Sequence, residues 1–410
     1  MSRPADSGRG DAPAPAVANP HDRPALARVV GDVDTFARTV WGREPLLLRA
    51  ADPAGFADLL SEASVDELVG RRGLRTPFLR VAKQGDTLAN AAFTAPGGLG
   101  AGIADQVSDD KLAALFAGGS TIVLQALHRV RPPLIDFCQQ LASDLGHPVQ
   151  ANAYVTPPQN QGFDDHYDVH DVFVLQVAGR KRWSIHAPVH PSPLRDQPWT
   201  DHREAVRLAA EHEPLIETVL EPGDALYLPR GFLHAATALG GVTVHLTLGI
   251  HAWTRYAVAQ ELVALALAEL ADDEGARTSL PLGTSLATGE LDTDVVAAKL
   301  RAAIDTLDPA AVAGRLQARR RDAQRAAPLG PLAQHALAVR LTQSTTLRLR
   351  EHLDATLVDG VLHARAGRVR VDEVPGDALK RLLAGDVLTA GDLGSDAART
   401  LIEAGLVVAG

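Results

Sequence analysis

Between about residues 151 and 250 the chain is a succession of short apolar runs cut by Pro, Gly and Asp, and no other feature limits its folding so much. The runs are Ala153-Tyr-Val-Thr156, Val172-Phe-Val-Leu-Gln-Val177, Arg182-Trp-Ser-Ile185, Ile216-Glu-Thr-Val-Leu220, Ala225-Leu-Tyr-Leu228 and Thr243-Val-His-Leu-Thr-Leu248. Each is too short for a typical helix, and several strands with turn signals between them predict a β-sandwich or barrel. The nearly unbroken apolarity of 172–177 predicts a strand buried on both faces. A Pro- and His-rich loop from His186 to about Asp201, then a short helix over about 202–211, reads as a variable insertion at the rim.

Polar residues that this pattern does not explain fall into a few places. His166 and Asp168 are two apart, so an extended chain points both to one side. His234 follows 68 residues later, after the Pro222-Gly-Asp224 turn. Two imidazoles and one carboxylate on one face are what a non-haem iron centre requires, with positions left open for other ligands. His-x-Asp by itself is common. It gains weight here from its order with Gly179-Arg-Lys-Arg-Trp183 and Pro222-Gly-Asp…Pro-Arg-Gly-x-x-His234. Lys181 alternates with Arg180 and Arg182, which read as solvated hairpin charges, and shares its side with Trp183. A buried lysine needs a partner, and a dicarboxylate cosubstrate would supply one. Asn152 and Tyr154 share a strand face, where an amide and a phenol can hold the same ligand. His170, His186, His190, His202 and His212 read as surface or structural.

Composition narrows the classes. The chain has 410 residues, 46% hydrophobic and 22% charged, enough for two or three domains with real cores. Its formal charge of -10 disfavours broad nucleic-acid binding. The single cysteine, Cys138, excludes an internal disulfide and a multi-thiolate zinc site, and its helical setting reads as a buried structural thiol. No apolar run is long enough to span a membrane. Residues 1–23, rich in Ala, Pro, Gly and Asp without an apolar core, read as a disordered tail rather than a signal peptide, so a cytoplasmic location is expected.

Outside the strand-rich region the pattern is largely helical. Val33–Trp41 reads as helix, Pro45–Arg49 as strand, and Ser64-Val-Asp-Glu67 as a capping box opening another helix. Ala92–Gly102 reads as loop, Thr121–Gln125 as strand, and the segment around Cys138 as helix. From Ala257 helices return. Gln260–Leu270 is apolar over much of its surface, which predicts burial in a bundle or a dimer interface. After about Leu341 a helix, a hairpin over 360–371, a helix at 377–384 and a closing helix–strand outline a small α/β module.

Three segments together resemble the ribosomal-oxygenase branch of the JmjC/cupin hydroxylases: Asn152-x-Tyr154-Val-Thr-Pro-Pro-x-x-Gln161-Gly-Phe-x-x-His166-Tyr-Asp168, Asp171-Val-Phe-Val-Leu-Gln-x-x-Gly-Arg-Lys181-Arg-Trp183, and Pro222-Gly-Asp-x-Leu-Tyr-Leu-Pro-Arg-Gly-Phe-Leu-His234. Trp41-Gly-Arg-Glu-Pro-Leu-Leu47 is similar to the same family's N-terminal region. The resemblance implies an α+β chain: a double-stranded β-helix (jelly-roll, cupin) JmjC domain over 24–252, a helical dimerisation region over 253–336, and a winged-helix-like module over 337–410. It implies Fe(II) on His166, Asp168 and His234, 2-oxoglutarate held at its far carboxylate by Lys181 with Tyr154 beside it, and O2 as co-reactant. Asn152 and His245 would line the cavity. Where related sequences carry a serine, this chain has Gly249.

The expected function is hydroxylation of a protein side chain, His or Arg of a ribosomal protein, by a homodimer. The rival readings are a JmjC-type lysine demethylase, a cupin oxygenase of small molecules, and a non-catalytic cupin that binds ligand or protein. Residues 341–410 hold eight basic and ten acidic side chains. DNA-reading modules are usually basic, so specific DNA binding is not expected. Arg319-Arg-Arg321 reads as a solvated helix face.

Overall fold

The computed structural model describes residues 23–410 except 84, 159, 161–163, 285–290 and 292. The expected N-terminal tail lies outside the described residues, apart from Arg23. The chain forms two units, one taking in residues up to Leu145 with Gln150–Gly249, the other Gly146–Val149 with Ile250–Gly410.

Among the described residues the first unit is built on eleven strands, β1 (Leu46–Leu48), β2 (Leu79–Lys83), β3 (Asp86–Thr87), β4 (Thr94–Ala95), β5 (Gln106–Val107), β6 (Thr121–Leu124), β7 (Val149–Thr156), β8 (Asp171–His186), β9 (Ile216–Leu220), β10 (Ala225–Leu228) and β11 (Leu233–Ile250). Nine form one sheet in the order β1-β10-β8-β11-β7-β6-β2-β3, with β9 added on β8, and β4 pairs β5 separately. The strand β8 serves two partners. Its first half, Val172–Leu175, pairs β10 and its second half, Lys181–Ile185, pairs β9, both antiparallel. Gly179 lies between them at φ +64°, and a Cβ there would collide with the Val242 carbonyl, so only glycine makes this bend. A continuous sheet thereby wraps into layers. Val172, Val174, Trp183, Ile185, Leu220, Leu226 and Leu228 form the buried cluster between them.

Polar tethers fix the helices and edges. The helix Pro24–Val30 has no cap of its own, and Asp144, 119 positions later, accepts from the N–H groups of Ala25 and Leu26 at 2.9 and 3.0 Å. Asp224, in the Pro-Gly-Asp turn, accepts from Ala50 N and ion-pairs Arg49 at 2.5 Å, locking β1 onto β10. Tyr227 takes a hydrogen bond from Gly42 N and packs among Phe36, Trp41 and Phe173, which seats the Trp-Gly-Arg-Glu-Pro turn.

Two local expectations need correction. The helix expected from Ser64 begins one turn earlier, spanning Glu62–Arg71, because Ser61 is extended and its hydroxyl accepts from Ser64 N. Residues 92–102 are not all loop, since Thr94–Ala95 pairs with Gln106–Val107. Cys138 lies buried in the helix Pro132–Leu145, where burial pushes its thiol up to about 12.

The second unit opens with the helix Arg255–Asp272, capped by the Thr254 hydroxyl on Ala257 N. It packs with the helices Thr293–Thr306 and Pro309–Ala323. Within the chain it is less buried than its apolarity suggested. Only Ala257, Glu261 and Ala266 are buried, while Tyr256 and Leu267 are more than half exposed. Glu261 is the buried anchor, bridged to Arg315 at 2.5 Å and Arg319 at 2.9 Å. Arg319 stays exposed on its helix face and also lies over the Trp253 ring, 5.5 Å from its centroid.

Beyond Leu341 there are six strands, β12 (Thr346–Leu349), β13 (Thr356–Val358), β14 (Val361–Ala364), β15 (Gly367–Arg370), β16 (Leu388–Thr389) and β17 (Val407–Ala409). They form the sheets β16-β12-β17 and β13-β14-β15 around the helices Gly376–Leu383 and Ser395–Glu403. Leu347, Leu382, Leu401, Ile402 and Val407 share one core. Among the described residues no helix is long and apolar enough to cross a membrane.

Candidate metal and cosubstrate site

A pocket in the first unit opens to solvent and gathers most of the candidate residues. Tyr154, His166, Asp168, Lys181, His234 and His245 all line it, with Val172, Val174, Trp183 and Thr247 among the remaining wall. Asn152 is not in that wall. Its side-chain oxygen accepts from Ala126 N at 3.0 Å and holds a left-handed turn there.

Strand pairing joins residues 68 apart in sequence. His166 and His234 face each other in an isolated antiparallel bridge, with His234 N donating to His166 O at 2.8 Å and the reverse bond at 3.3 Å. Their rings lie 4.5 Å apart, and His234 Nε2 is 3.9 Å from Asp168 Oδ2. Tyr167, between His166 and Asp168, points the other way. It is buried with Leu233 and with Val206 of the rim helix Arg203–Ala210, and its hydroxyl donates to Gln197 O at 3.1 Å. The rim insertion thus does more than vary. It clamps Tyr167, and that alternation turns His166 and Asp168 toward the pocket.

Each imidazole is also held from behind. His166 Nδ1 is 2.8 Å from Asp164 O and His234 Nδ1 is 3.1 Å from Phe232 O. A carbonyl accepts only from N–H, so both rings keep Nδ1 protonated and leave Nε2 as a lone-pair donor, the arrangement typical of metal-binding histidines. Burial pushes the His234 imidazole down to about 4. Burial also opposes charge on Asp168, but His170, His234, His166 and Arg80 outweigh it and hold that carboxyl below its ordinary range. A neutral imidazole and an ionised carboxylate are the forms a divalent ion takes. In identity, tautomer and protonation the donors fit such an ion. They do not yet converge on one point: among the described residues no three His, Cys, Asp or Glu side chains form a ready-made metal cluster.

The same pocket is also lined by a buried cation, Lys181. Lys181 is 3% exposed and Trp183 4%, so that face of β8 turns inward, while Arg180 and Arg182 face out and Arg182 pairs Glu217 at 3.8 Å. Lys181 Nζ approaches Thr156 Oγ1 at 3.5 Å, and no carboxylate pairs it among the described residues. Burial pulls its ammonium down to about 7. The Tyr154 ring stacks on His245 with centroids 4.9 Å apart and planes 2° apart, and burial raises its phenol. His245 is turned edge-on to Trp183 at 5.5 Å and is held neutral by burial and by the Lys181 charge.

Two residues near the site escaped the reading of the sequence. His170, read as surface or structural, acts on Asp168 more strongly than either His234 or His166 does, and its ring is 3.5 Å from Gln150 Nε2. Gly249 sits beneath both side chains, where a Cβ would meet Gln150 Nε2 and His170 Cε1 at 3.0 Å. Arg80, on β2, hydrogen-bonds the Tyr154 hydroxyl. A lone arginine on an edgeward strand carries no motif, so no sequence signal marked it. Of the remaining histidines, His190 and His202 stack on each other in the rim, 4.6 Å apart, and His186 is buried.

Residues 126–258 match the family model for the JmjC domain. Ribosomal oxygenase 1 of Rattus norvegicus is 31% identical over 240 residues, covering 53% of this chain and 35% of its own length. The Aedes aegypti protein named bifunctional lysine-specific demethylase and histidyl-hydroxylase NO66 is 29% identical over 221 residues, covering 53% and 33%. The chain thus spans about a third of the curated relatives it matches. Among solved structures, the Escherichia coli ribosomal oxygenase YcfD superposes with a TM-score of 0.54 at 19% identity, covering 92% of this chain and 96% of its own. The same protein has been solved with cobalt and 2-oxoglutarate, again at a TM-score of 0.54. That likeness establishes a JmjC, cupin-type fold of mixed helix and sheet. Residues 126–258 are a JmjC domain, and the chain is a relative of the ribosomal oxygenases.

Proposed function

We propose that the protein is an Fe(II)- and 2-oxoglutarate-dependent oxygenase that hydroxylates a protein side chain, a His or Arg of a ribosomal protein. The observation that carries this reading is the polarity of the pocket. Paired imidazoles and an ionised carboxylate line the same pocket as a buried lysine that no carboxylate pairs among the described residues.

His166, Asp168 and His234 would hold the metal through Nε2, a carboxylate oxygen and Nε2. When bound, iron and 2-oxoglutarate would supply the oxidising chemistry, dioxygen being divided between succinate and a new substrate hydroxyl. The chain's own work is binding and exclusion. Lys181 receives the far carboxylate of the cosubstrate, and its ammonium regains a full charge on doing so. Tyr154, fixed by its stack on His245, offers its hydroxyl to the same end. Val172, Val174, Trp183 and Ala236 keep water from the reacting groups. Asn152 supports this wall through the turn at Ala126 rather than by touching the ligand.

The apolar outer face of Arg255–Asp272, with Tyr256, Val263 and Leu267 exposed, supports a homodimer through the 253–336 helices. The hairpins of β13-β14-β15 beside two amphipathic helices support a winged-helix-like role for 337–410 as a protein-contact module. A cytoplasmic location accords with these partners. Lysine demethylation is the second reading, favoured by the double activity in the name of the mosquito relative.

Mass spectrometry of ribosomal proteins from cells with and without this protein tests the proposal. A one-oxygen increment lost on deletion, and restored by the wild type but not by His166→Ala, is the expected result. An unchanged ribosomal proteome together with loss of methyl groups from a lysine peptide in vitro would move the assignment to demethylation.

A further inference from the structure

The pocket face of the sheet can be followed strand by strand. In register, Arg80 of β2 lies opposite Val123 of β6, and Val123 lies opposite Tyr154 of β7. Directly paired residues point to the same side of a sheet, so all three share the face that carries the pocket. The next row confirms that face. Ala82 pairs Thr121, whose hydroxyl donates to Thr156 at 3.3 Å, and Thr156 in turn meets Lys181. Two rows therefore run into the site, one ending on Lys181 and the other passing from Arg80 through Tyr154 to His245.

Neighbouring strands are about 4.8 Å apart, so Arg80 starts about 10 Å from Tyr154. A residue with a short side chain must lie between them if an arginine is to reach across. Val123, fully buried, is that residue, and the Arg80 guanidinium acts on the Tyr154 phenol by its charge and by a side-chain hydrogen bond, both opposing the rise that burial imposes. Its charge is also felt at Asp168, on the metal side of the pocket. An arginine stays charged at every relevant pH and offers several donors in a rigid fork.

We propose that Arg80 is a positioning residue of this site. It fixes the Tyr154 hydroxyl toward the cosubstrate and lays a permanent positive charge across the pocket, favouring a dianionic ligand while opposing a bound divalent cation. This rests on the reading of the pocket as a metal and 2-oxoglutarate site. It makes two predictions of opposite sign, which a packing role does not. Replacing the guanidinium by a neutral amide weakens the dianion by losing both the hydrogen bond and the charge. The same change leaves a divalent ion at least as tightly bound, because a neighbouring like charge has gone.

The test uses the full-length protein, with Mn(II) as the metal probe and calorimetry as the readout. Arg80→Gln is expected to raise the 2-oxoglutarate Kd about tenfold, the size of one charge-assisted hydrogen bond, while the Mn(II) Kd stays equal or falls. In a Tyr154→Phe background the same substitution is expected to change the 2-oxoglutarate Kd by less than about threefold, since the hydrogen bond through that oxygen is absent and only the more distant charge is lost. Arg80→Lys, which keeps the charge without the fork, should hold Mn(II) as the wild type does and recover part of the 2-oxoglutarate affinity. Equal weakening of both ligands, equal effects in both backgrounds, or no change in either ligand would overturn the proposal. Circular-dichroism melts of each variant separate misfolding from these outcomes. A wild-type protein that binds neither Mn(II) nor 2-oxoglutarate would instead refute the underlying reading, and this proposal with it.

Discussion

Replacing Lys181 by methionine should make the protein more stable and less able to bind its cosubstrate. The ammonium is buried, its described contact is a 3.5 Å approach to Thr156, and burial lowers it from the ordinary 10.5 to about 7. Between those two values the unfolded chain binds a proton that the folded chain does not, so stability rises with pH across that window. The cost is therefore full below about pH 7 and vanishes above about 10.5. At about 1.4 kcal/mol for each pH unit of displacement, the ceiling is about 5 kcal/mol. Local relaxation and water entry reduce it, and methionine fills nearly the same length with apolar atoms. A gain of about 2 kcal/mol or more at pH 6.5 is expected, shrinking toward zero by pH 10. Urea unfolding of wild type and Lys181→Met at these two pH values measures it directly. The same variant should lose 2-oxoglutarate binding by about a hundredfold, the worth of a buried charge-assisted contact. A variant that is less stable at pH 6.5, or whose gain is the same at pH 10, would refute the argument that burial strains this lysine.

The pH dependence of ligand binding follows from the same residue: above about pH 7 the free site must take up a proton to meet a dicarboxylate. The 2-oxoglutarate affinity of Mn(II)-loaded protein should fall by up to about tenfold per pH unit from 7.5 to 9, and a flat calorimetric profile would contradict it. Divalent ion binding should raise the melting temperature of the wild type in proportion to ln[Mn(II)] and leave His234→Ala unmoved. In the second unit, Glu261→Gln strips the charge from the partner of Arg315 and Arg319. It should cost about 1–3 kcal/mol by denaturant unfolding, whereas the exposed Asp377, 4.0 Å from Lys380, should tolerate the equivalent change within about 0.5 kcal/mol. Cys138, with its thiol pushed up to about 12, should resist iodoacetamide at pH 8 until the protein is unfolded.

What the sequence determined by itself is the alphabet of the site and the periodicity that aims it. Alternation on β8 was enough to separate Lys181 and Trp183 from Arg180 and Arg182, because side chains on a strand repeat every two residues. The same period put His166 and Asp168 on one side, and the Pro222-Gly-Asp224 turn marked where a strand begins. Short-range signals of this kind depend only on neighbouring residues, so they can be read along a line. Where two such signals competed, as at Ser61 and Ser64, the local reading chose the wrong serine, since either can cap and only the preceding backbone decides.

Tertiary structure alone decided the distances across the sheet. The pairing of His166 with His234 rests on a register set by strands far apart in sequence, and Asp144 caps a helix that starts more than a hundred residues earlier. Arg80 and Tyr154 share one face of the sheet only because β6 places Val123 in register with both. Apolarity on Arg255–Asp272 announced a face that avoids water, but not whether this chain or a second copy covers it. Among the described residues much of that face is exposed. Burial is a property of what lies opposite a residue, and a sequence lists only what lies beside it.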